Sequence, residues 1–237
     1  MDLTKNDRHD EFCNLIPKAK VEEVFQLIDY NDQKYKEQLS NLCELRLYRL
    51  SQLRYIWKGP HQNLHLCKLK CIELSGCSKL TSIFTPASAA NLRKLLSIKI
   101  SKCEALESII SPEEDELSTS AASFRMVVSI PELEKIYISS CHELKSILPV
   151  STLAQGLPQL RDISITDCAK LEQVFKDTEG TLMDRDKIAL NSLNNLELEN
   201  LPSLVHFSTT KGHFICPSLK VLKVKFCPLL VKSFRIG

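Results

Sequence analysis

From Leu157 to Phe175 the chain reads LPQLRDISITDCAKLEQVF, with apolar positions at Leu157, Leu160, Ile163, Ile165, Cys168, Leu171 and Val174. Steps of three give way to a single step of two and then return to three. The step of two suits a short strand, with Ile163 and Ile165 on one side and Asp162, Ser164 and Thr166 on the other. The flanking steps of three predict turns or tight single-turn segments that keep one edge against the same core. A segment this short cannot enclose a core alone, so the pattern predicts stacking on copies of itself.

Those copies open at Leu39, Leu66, Leu92, Ile130, Leu190 and Cys216. Their strand pairs are Leu45 and Leu47, Ile72 and Leu74, Ile98 and Ile100, Ile136 and Ile138, Leu196 and Leu198, and Leu222 and Val224. Cys77, Cys103, Cys141 and Cys227 repeat the slot of Cys168, which Leu50 and Leu201 fill in the other two copies. The arrangement is the signature of a leucine-rich repeat. It predicts an α/β solenoid curved like a horseshoe, with a parallel sheet on the concave face and little regular helix on the convex face.

One elongated domain is expected over residues 13–237, after a polar, unordered lead-in at 1–12. It comprises a partial repeat at 13–38 and seven full repeats from 39 to the C-terminus. In the partial repeat Cys13 and Leu15 match a strand pair, and Val21, Val24 and Phe25 match Leu171, Val174 and Phe175. The starts at Leu92 and Ile130 are 38 residues apart and those at Leu157 and Leu190 are 33 apart, against 26 or 27 elsewhere. The excess predicts loops at Ser111–Ser129 and Lys176–Ala189, projecting from the convex or lateral side. Short helical turns are predicted at Pro86–Leu92, where proline takes a tolerated first position, and at Val150–Leu157. Neither end carries the polar outer face of a capping repeat, which points to a piece of a larger protein or to apolar edges covered by another chain.

Composition narrows the function. The 237 residues are 43% hydrophobic and 25% charged, and 31 basic against 29 acidic residues leave a net charge of +2, with no global pull toward nucleic acid or anionic lipid. The charged N-terminus lacks the apolar core of a secretory signal, and no run is long enough for a membrane span. A cytoplasmic protein is expected. Half of the ten cysteines occupy one template slot, so buried reduced thiols explain them better than a disulfide framework does.

The form C-x-x-L-x-x-I-F, seen in CSKLTSIF, CEALESII, CHELKSIL and CAKLEQVF and followed by an acidic insertion such as PEEDE, resembles the C-terminal repeats of plant intracellular nucleotide-binding disease-resistance receptors of the coiled-coil class. The resemblance covers residues 13–237. It implies a module that senses a pathogen effector or a host protein and docks on a nucleotide-binding switch domain. No G-x-x-x-x-G-K-[ST] phosphate loop occurs among the six glycines, so no nucleotide or other cofactor is expected on this chain.

Catalytic and metal chemistry find little support. His61, His65, Cys67 and Cys71 have zinc-type side chains, but the template puts them on different sides of a strand edge. Cys141 and His142 are adjacent, yet the template turns one inward and the other outward. The acids from Glu113 to Glu116 read as a solvated charge run. No catalytic, cofactor or metal residues are assigned, and an enzyme is not expected. The concave face holds the candidate partner site: Arg46, Tyr48, Glu73, Lys99, Ser101, Lys135, Tyr137, Ser139, Ser164 and Thr166. Charges on this face are 0, −1, +1, +1, −1, −2 and +2 from the first rung to the seventh and sum to zero, a mixed pattern that suits a protein partner and lacks the basic stripe that nucleic acid requires. Two readings stay open here: the recognition module of an immune receptor, and an adaptor or inhibitor that clamps a protein outside immunity.

Deleting Glu113 to Ala122 cuts the long step between Leu92 and Ile130 nearly to the length of its neighbours, and loop-closure entropy changes little with length. The shortened protein is expected to melt within error of the parent in a thermal scan. A drop of several degrees would place supporting structure in that loop.

Overall fold

A computed structural model of the chain describes residues 21–27, 39–59, 64–111, 128–149, 152, 157–176, 188–208 and 214–230. Each predicted step of two is a five-residue strand: β2 (Glu44–Tyr48), β4 (Cys71–Ser75), β5 (Ser97–Ser101), β6 (Lys135–Ser139), β8 (Asp162–Thr166), β11 (Asn195–Glu199) and β14 (Val221–Lys225). They form one parallel sheet in the order β14-β11-β8-β6-β5-β4-β2. The pairing is in phase throughout, so Leu45, Ile72, Ile98, Ile136, Ile163, Leu196 and Leu222 make one row across the sheet. A second row runs from Leu47 to Val224 in the same way. From Ile72 to Leu198 these side chains are almost completely buried, each worth about 1.5–3 kcal/mol of transfer from water.

The steps of three are turns. The N–H of Leu160 donates to the carbonyl of Leu157 at 3.1 Å and that of Leu171 to Cys168 at 3.3 Å. The same bond recurs from Leu69 to Leu66 and from Leu204 to Leu201. One helical turn, α1 (Pro86–Ala89), lies inside the predicted Pro86–Leu92 segment, and residues 39–40 and 152 are also helical. Thr85 caps α1: its hydroxyl accepts from the N–H of Ser88, and its own N–H donates to the Ser88 hydroxyl at 2.9 Å. Most of the predicted turn at Val150–Leu157 and of both long loops lies outside the described residues, as do the lead-in, Cys13 and Leu15.

Opposite the main sheet the chain forms shorter parallel ladders. They contain β1 (Glu23–Gln26), β3 (Tyr55–Lys58), β7 (Leu148–Pro149), β9 (Gln173–Lys176), β10 (Ile188–Ala189), β12 (His206–Ser208) and β13 (Phe214–Ile215). β1 pairs β3, β9 lies between β7 and β12, β10 pairs β13, and Phe84 bridges Ile110. Phe25 stands opposite Trp57 in the β1–β3 ladder. The I-F ending of the repeats supplies the aromatic filling. Phe25 stacks on Trp57 at 5.0 Å and Trp57 faces Phe84 at 6.4 Å, while Phe175, Phe207 and Phe214 form a second cluster. Little regular helix was expected on the convex side, and its ladders are short because two to four residues per repeat contribute.

The cysteine slot turns inward as read. Cys77, Cys103, Cys141 and Cys168 are fully buried on four successive rungs, and the Sγ of the last three reaches the carbonyl two residues earlier at 3.3–3.5 Å. Hydrogen bonding to Cys141 and burial push the Cys103 thiol up to about 12, and burial raises Cys168 to about 11. Leu201 is accommodated with no exposure, and its N–H takes up a further cross-rung bond to Phe226 at 3.2 Å.

Immediately after every main strand stands a residue with positive φ: Arg49, Gly76, Lys102, Ser140, Asp167, Asn200 and Phe226, all between 52° and 70°. The left-handed turn swings the chain from the sheet into the core. It also aims each of the first six N–H groups at the next rung, as in Arg49 to Ser75 at 2.7 Å and Ser140 to Thr166 at 3.1 Å. Only Gly76 adopts this conformation without a Cβ penalty. A Cβ there would lie 3.4 Å from Arg49 Cα, so the cost of adding one is conformational. Gly76→Ala is therefore expected to lower the urea midpoint by the equivalent of about 1 kcal/mol, whereas Lys102→Gly raises it by about 0.5 kcal/mol. Shifts of the same sign in both variants would refute this account of the turn.

Candidate functional site

Strand alternation brings all ten predicted partner residues to one face of the main sheet. They do not form one equivalent array, because cross-rung pairing divides the face in three. At the β2 side Glu73 is a hub. Its carboxylate takes Lys99 Nζ at 2.8 Å and Arg46 Nε at 3.9 Å, and Tyr48 hydrogen-bonds to it. Arg46 also pairs with Glu44 at 2.9 Å. Four of the predicted residues are thus held by one another.

At the β14 side Lys223 is the hub. It sits between Glu197 and Glu199, and Ser164 Oγ donates to Glu197 at 3.0 Å. The two carboxylates raise the lysine to about 12, and Lys223, first, and then Ser164 hold the Glu197 carboxyl below the usual range. Asn195 donates across the rung to Asp162. Glu197, Glu199 and Lys223 were not among the predicted site residues. Their signal was visible as rung charges of −2 and +2 on neighbouring strands.

Between the hubs lie Lys135, Tyr137 and Ser139 of β6, flanked by Ser101 on β5 and by Ser164 and Thr166 on β8. Ser101 Oγ donates to Ser75 at 2.9 Å, which keeps the hydroxyls low on the surface. Tyr137 is 37% exposed where the other large side chains of its strand are buried. Lys135 makes no ion pair among the described residues, in contrast to Lys99. The middle of the face therefore offers an aromatic ring over a floor of short hydroxyls, with Lys135 outside any ion pair among the described residues and Asp162 opposite it on β8.

Other constellations do not assemble. Cys141 is buried and His142 exposed, as the alternation predicted. His65 and Cys67 are exposed and Cys71 is half-buried, His61 lies outside the described residues, and no group of three or more metal-binding side chains occurs among the described residues. No helix among them is long and apolar enough to cross a membrane.

The Glu73 hub makes a pH-dependent contribution. Hydrogen bonding from Lys99, then from Tyr48, together with the nearby cations outweighs burial and holds its carboxyl below the ordinary 4.5. A depressed folded-state pKa stabilises the protein above the unfolded value and ceases to do so as pH falls through the folded one. Glu73→Gln is expected to lose about 0.5–1 kcal/mol near neutral pH, a figure reduced for partial exposure, and less at about pH 3. Urea midpoints of both proteins at the two pH values measure this, and a difference of the same size at both would rule out the ionic origin.

A family profile described as plant disease resistance protein RPS2-like, leucine-rich repeats, matches residues 16–104 and 115–236. A probable disease resistance protein of Arabidopsis thaliana is 28% identical over 101 residues. That alignment takes in 43% of this chain and 11% of the relative, so the chain spans a small part of that protein's length. No solved structure matches. With the repeat slots, the in-phase sheet and the profile covering most of its residues in agreement, the chain belongs to the leucine-rich-repeat family of RPS2-like plant disease resistance proteins.

Proposed function

We propose that the chain is the protein-recognition module of a plant immune receptor, that it acts in the cytoplasm, and that it binds rather than catalyses. The observation that carries the reading is the centre of the main sheet. Tyr137 and Lys135 are left for a partner while the charges on either side are tied into the Glu73 and Lys223 hubs. A rigid aromatic near the centre of a contact surface carries a disproportionate share of binding energy, and short hydroxyls around it let a partner approach closely. Lys135, which makes no ion pair among the described residues, favours an acidic or phosphorylated segment. Lys99 contributes less directly, since a ligand would have to displace Glu73. Family resemblance adds contact with a nucleotide-binding switch domain supplied by other sequence.

An array of acidic and phosphotyrosine or phosphoserine peptides, probed with the full chain and with Tyr137→Ala and Lys135→Glu, tests the site. Peptides that bind the parent are expected to bind each variant at least about tenfold more weakly, with melting temperatures unchanged because both side chains lie on the open face. Equal binding by parent and variants would reject this surface. Binding confined to peptides from outside defence signalling would favour a general adaptor.

A further inference from the structure

Cys77, Cys103, Cys141 and Cys168 take no part in the partner face, and each follows a main strand by two residues on four successive rungs. The strands end in register, with Ser75 opposite Ser101, Ser101 opposite Ser139 and Ser139 opposite Thr166. The left-handed residue that comes next keeps the rungs aligned: the N–H of Gly76 donates to Ser101 at 3.0 Å, that of Lys102 to Ser139 at 3.0 Å and that of Ser140 to Thr166 at 3.1 Å. The cysteines therefore repeat at about the strand spacing of ~4.8 Å, inside the range of roughly 4.4–6.8 Å between Cα atoms that a disulfide spans.

The file is not uniform. The thiol of Cys103 is hydrogen-bonded to those of both Cys77 and Cys141, so three sulfurs are in contact with Cys103 at their centre. The thiol of Cys168 meets the backbone of Cys141 rather than its sulfur, and donates to the carbonyl of Thr166 at 3.3 Å. Thiols already in contact have a reaction open to them that a solitary buried thiol lacks, because an oxidant needs to reach one sulfur only. Peroxide converts that thiol to a sulfenic acid and is released as water. The neighbouring thiol then attacks the sulfenic sulfur, the S–S bond forms, and the hydroxyl departs with the neighbour's proton as a second water. Two thiols thus give up two electrons and two protons, and one peroxide becomes two waters.

We propose that Cys103 is the centre of a cross-rung oxidation site, at which peroxide links it reversibly to Cys77 or to Cys141. Cys103 can close with one neighbour at a time, so the link fastens β5 either to β4 or to β6. It ties together rungs that are otherwise held only by stacking, at the strands that carry Glu73, Lys99 and Tyr137. The file lies in the core, so this inference does not depend on what the Tyr137 surface binds.

Each of the four cysteines falls on its own tryptic peptide, at 71–79, 103–125, 136–145 and 162–170, with Cys71 sharing the first. The full chain is capped at its exposed thiols with N-ethylmaleimide in native buffer, treated with hydrogen peroxide, and digested without reductant for mass spectrometry. The expected products are a 71–79/103–125 pair and a 103–125/136–145 pair, both lost with dithiothreitol. The melting temperature should rise by at least about 4 °C on oxidation and return on reduction. Cys168→Ala should leave both pairs in place, and Cys77→Ala should leave only the second. No link through Cys103, links that form only in urea, or a 136–145/162–170 pair in equal yield would overturn the proposal, as would an oxidised protein that melts no higher than the reduced one.

Discussion

Leu196 and Leu198 lose all contact with water because β8 and β14 lie on either side of them, whereas Leu222 and Val224, one rung further on, keep about half of their surface exposed. Nothing in the side chains accounts for the difference. A rung is a single layer of chain, and its apolar edge is covered only by its neighbours. Register follows from the same constraint: a slip of one residue would turn an entire aliphatic row to the open face, so all six strand pairings stay in phase. The left-handed residue after each strand belongs to this requirement as well, since it re-aims the chain into the core and adds one more cross-rung hydrogen bond.

The open face obeys a second, electrostatic rule on the same spacing. Charges that stand opposite one another on adjacent rungs are of opposite sign at both ends of the sheet, around Glu73 and around Lys223. Exposed pairs of this kind add little stability each. Their larger effect is to consume charge, so the ends of the face are tied into ion pairs while Lys135 at the centre, opposite Asp162, makes none among the described residues. Selectivity on a repeat surface can arise in this way from which residues are left out of the pairing.

The rows and the faces were legible because a step of two among steps of three has one sensible backbone, and stacked copies reinforce it. Sorting Tyr137 and Lys135 from Lys99 and Arg46 was not. The Lys99–Glu73 and Lys223–Glu197 contacts join residues 26 apart, and they exist only once the register is known. The convex side was read as poor in helix, and its ladders were not read as strands, since Gln173–Lys176 is too short to show alternation. Least visible was the left-handed turn. Gly76, Asn200 and Asp167 are residues that favour such a conformation, but Arg49, Lys102 and Phe226 carry no such mark and take it because the neighbouring rung imposes it.

The column of cysteines gives the solenoid an internal clock. Cys43 and Cys67 lie exposed at one end of the array, while Cys77, Cys103, Cys141 and Cys168 stand in an unbroken file with their thiols shielded, and those of Cys77, Cys103 and Cys168 are pushed up by burial and hydrogen bonding. An alkylating reagent needs the thiolate and needs to reach it, so a thiol in the file reacts only when its own rung parts from a neighbour. The order in which the file is labelled would then record where along its length the stack first comes apart, and how far each opening travels before it closes.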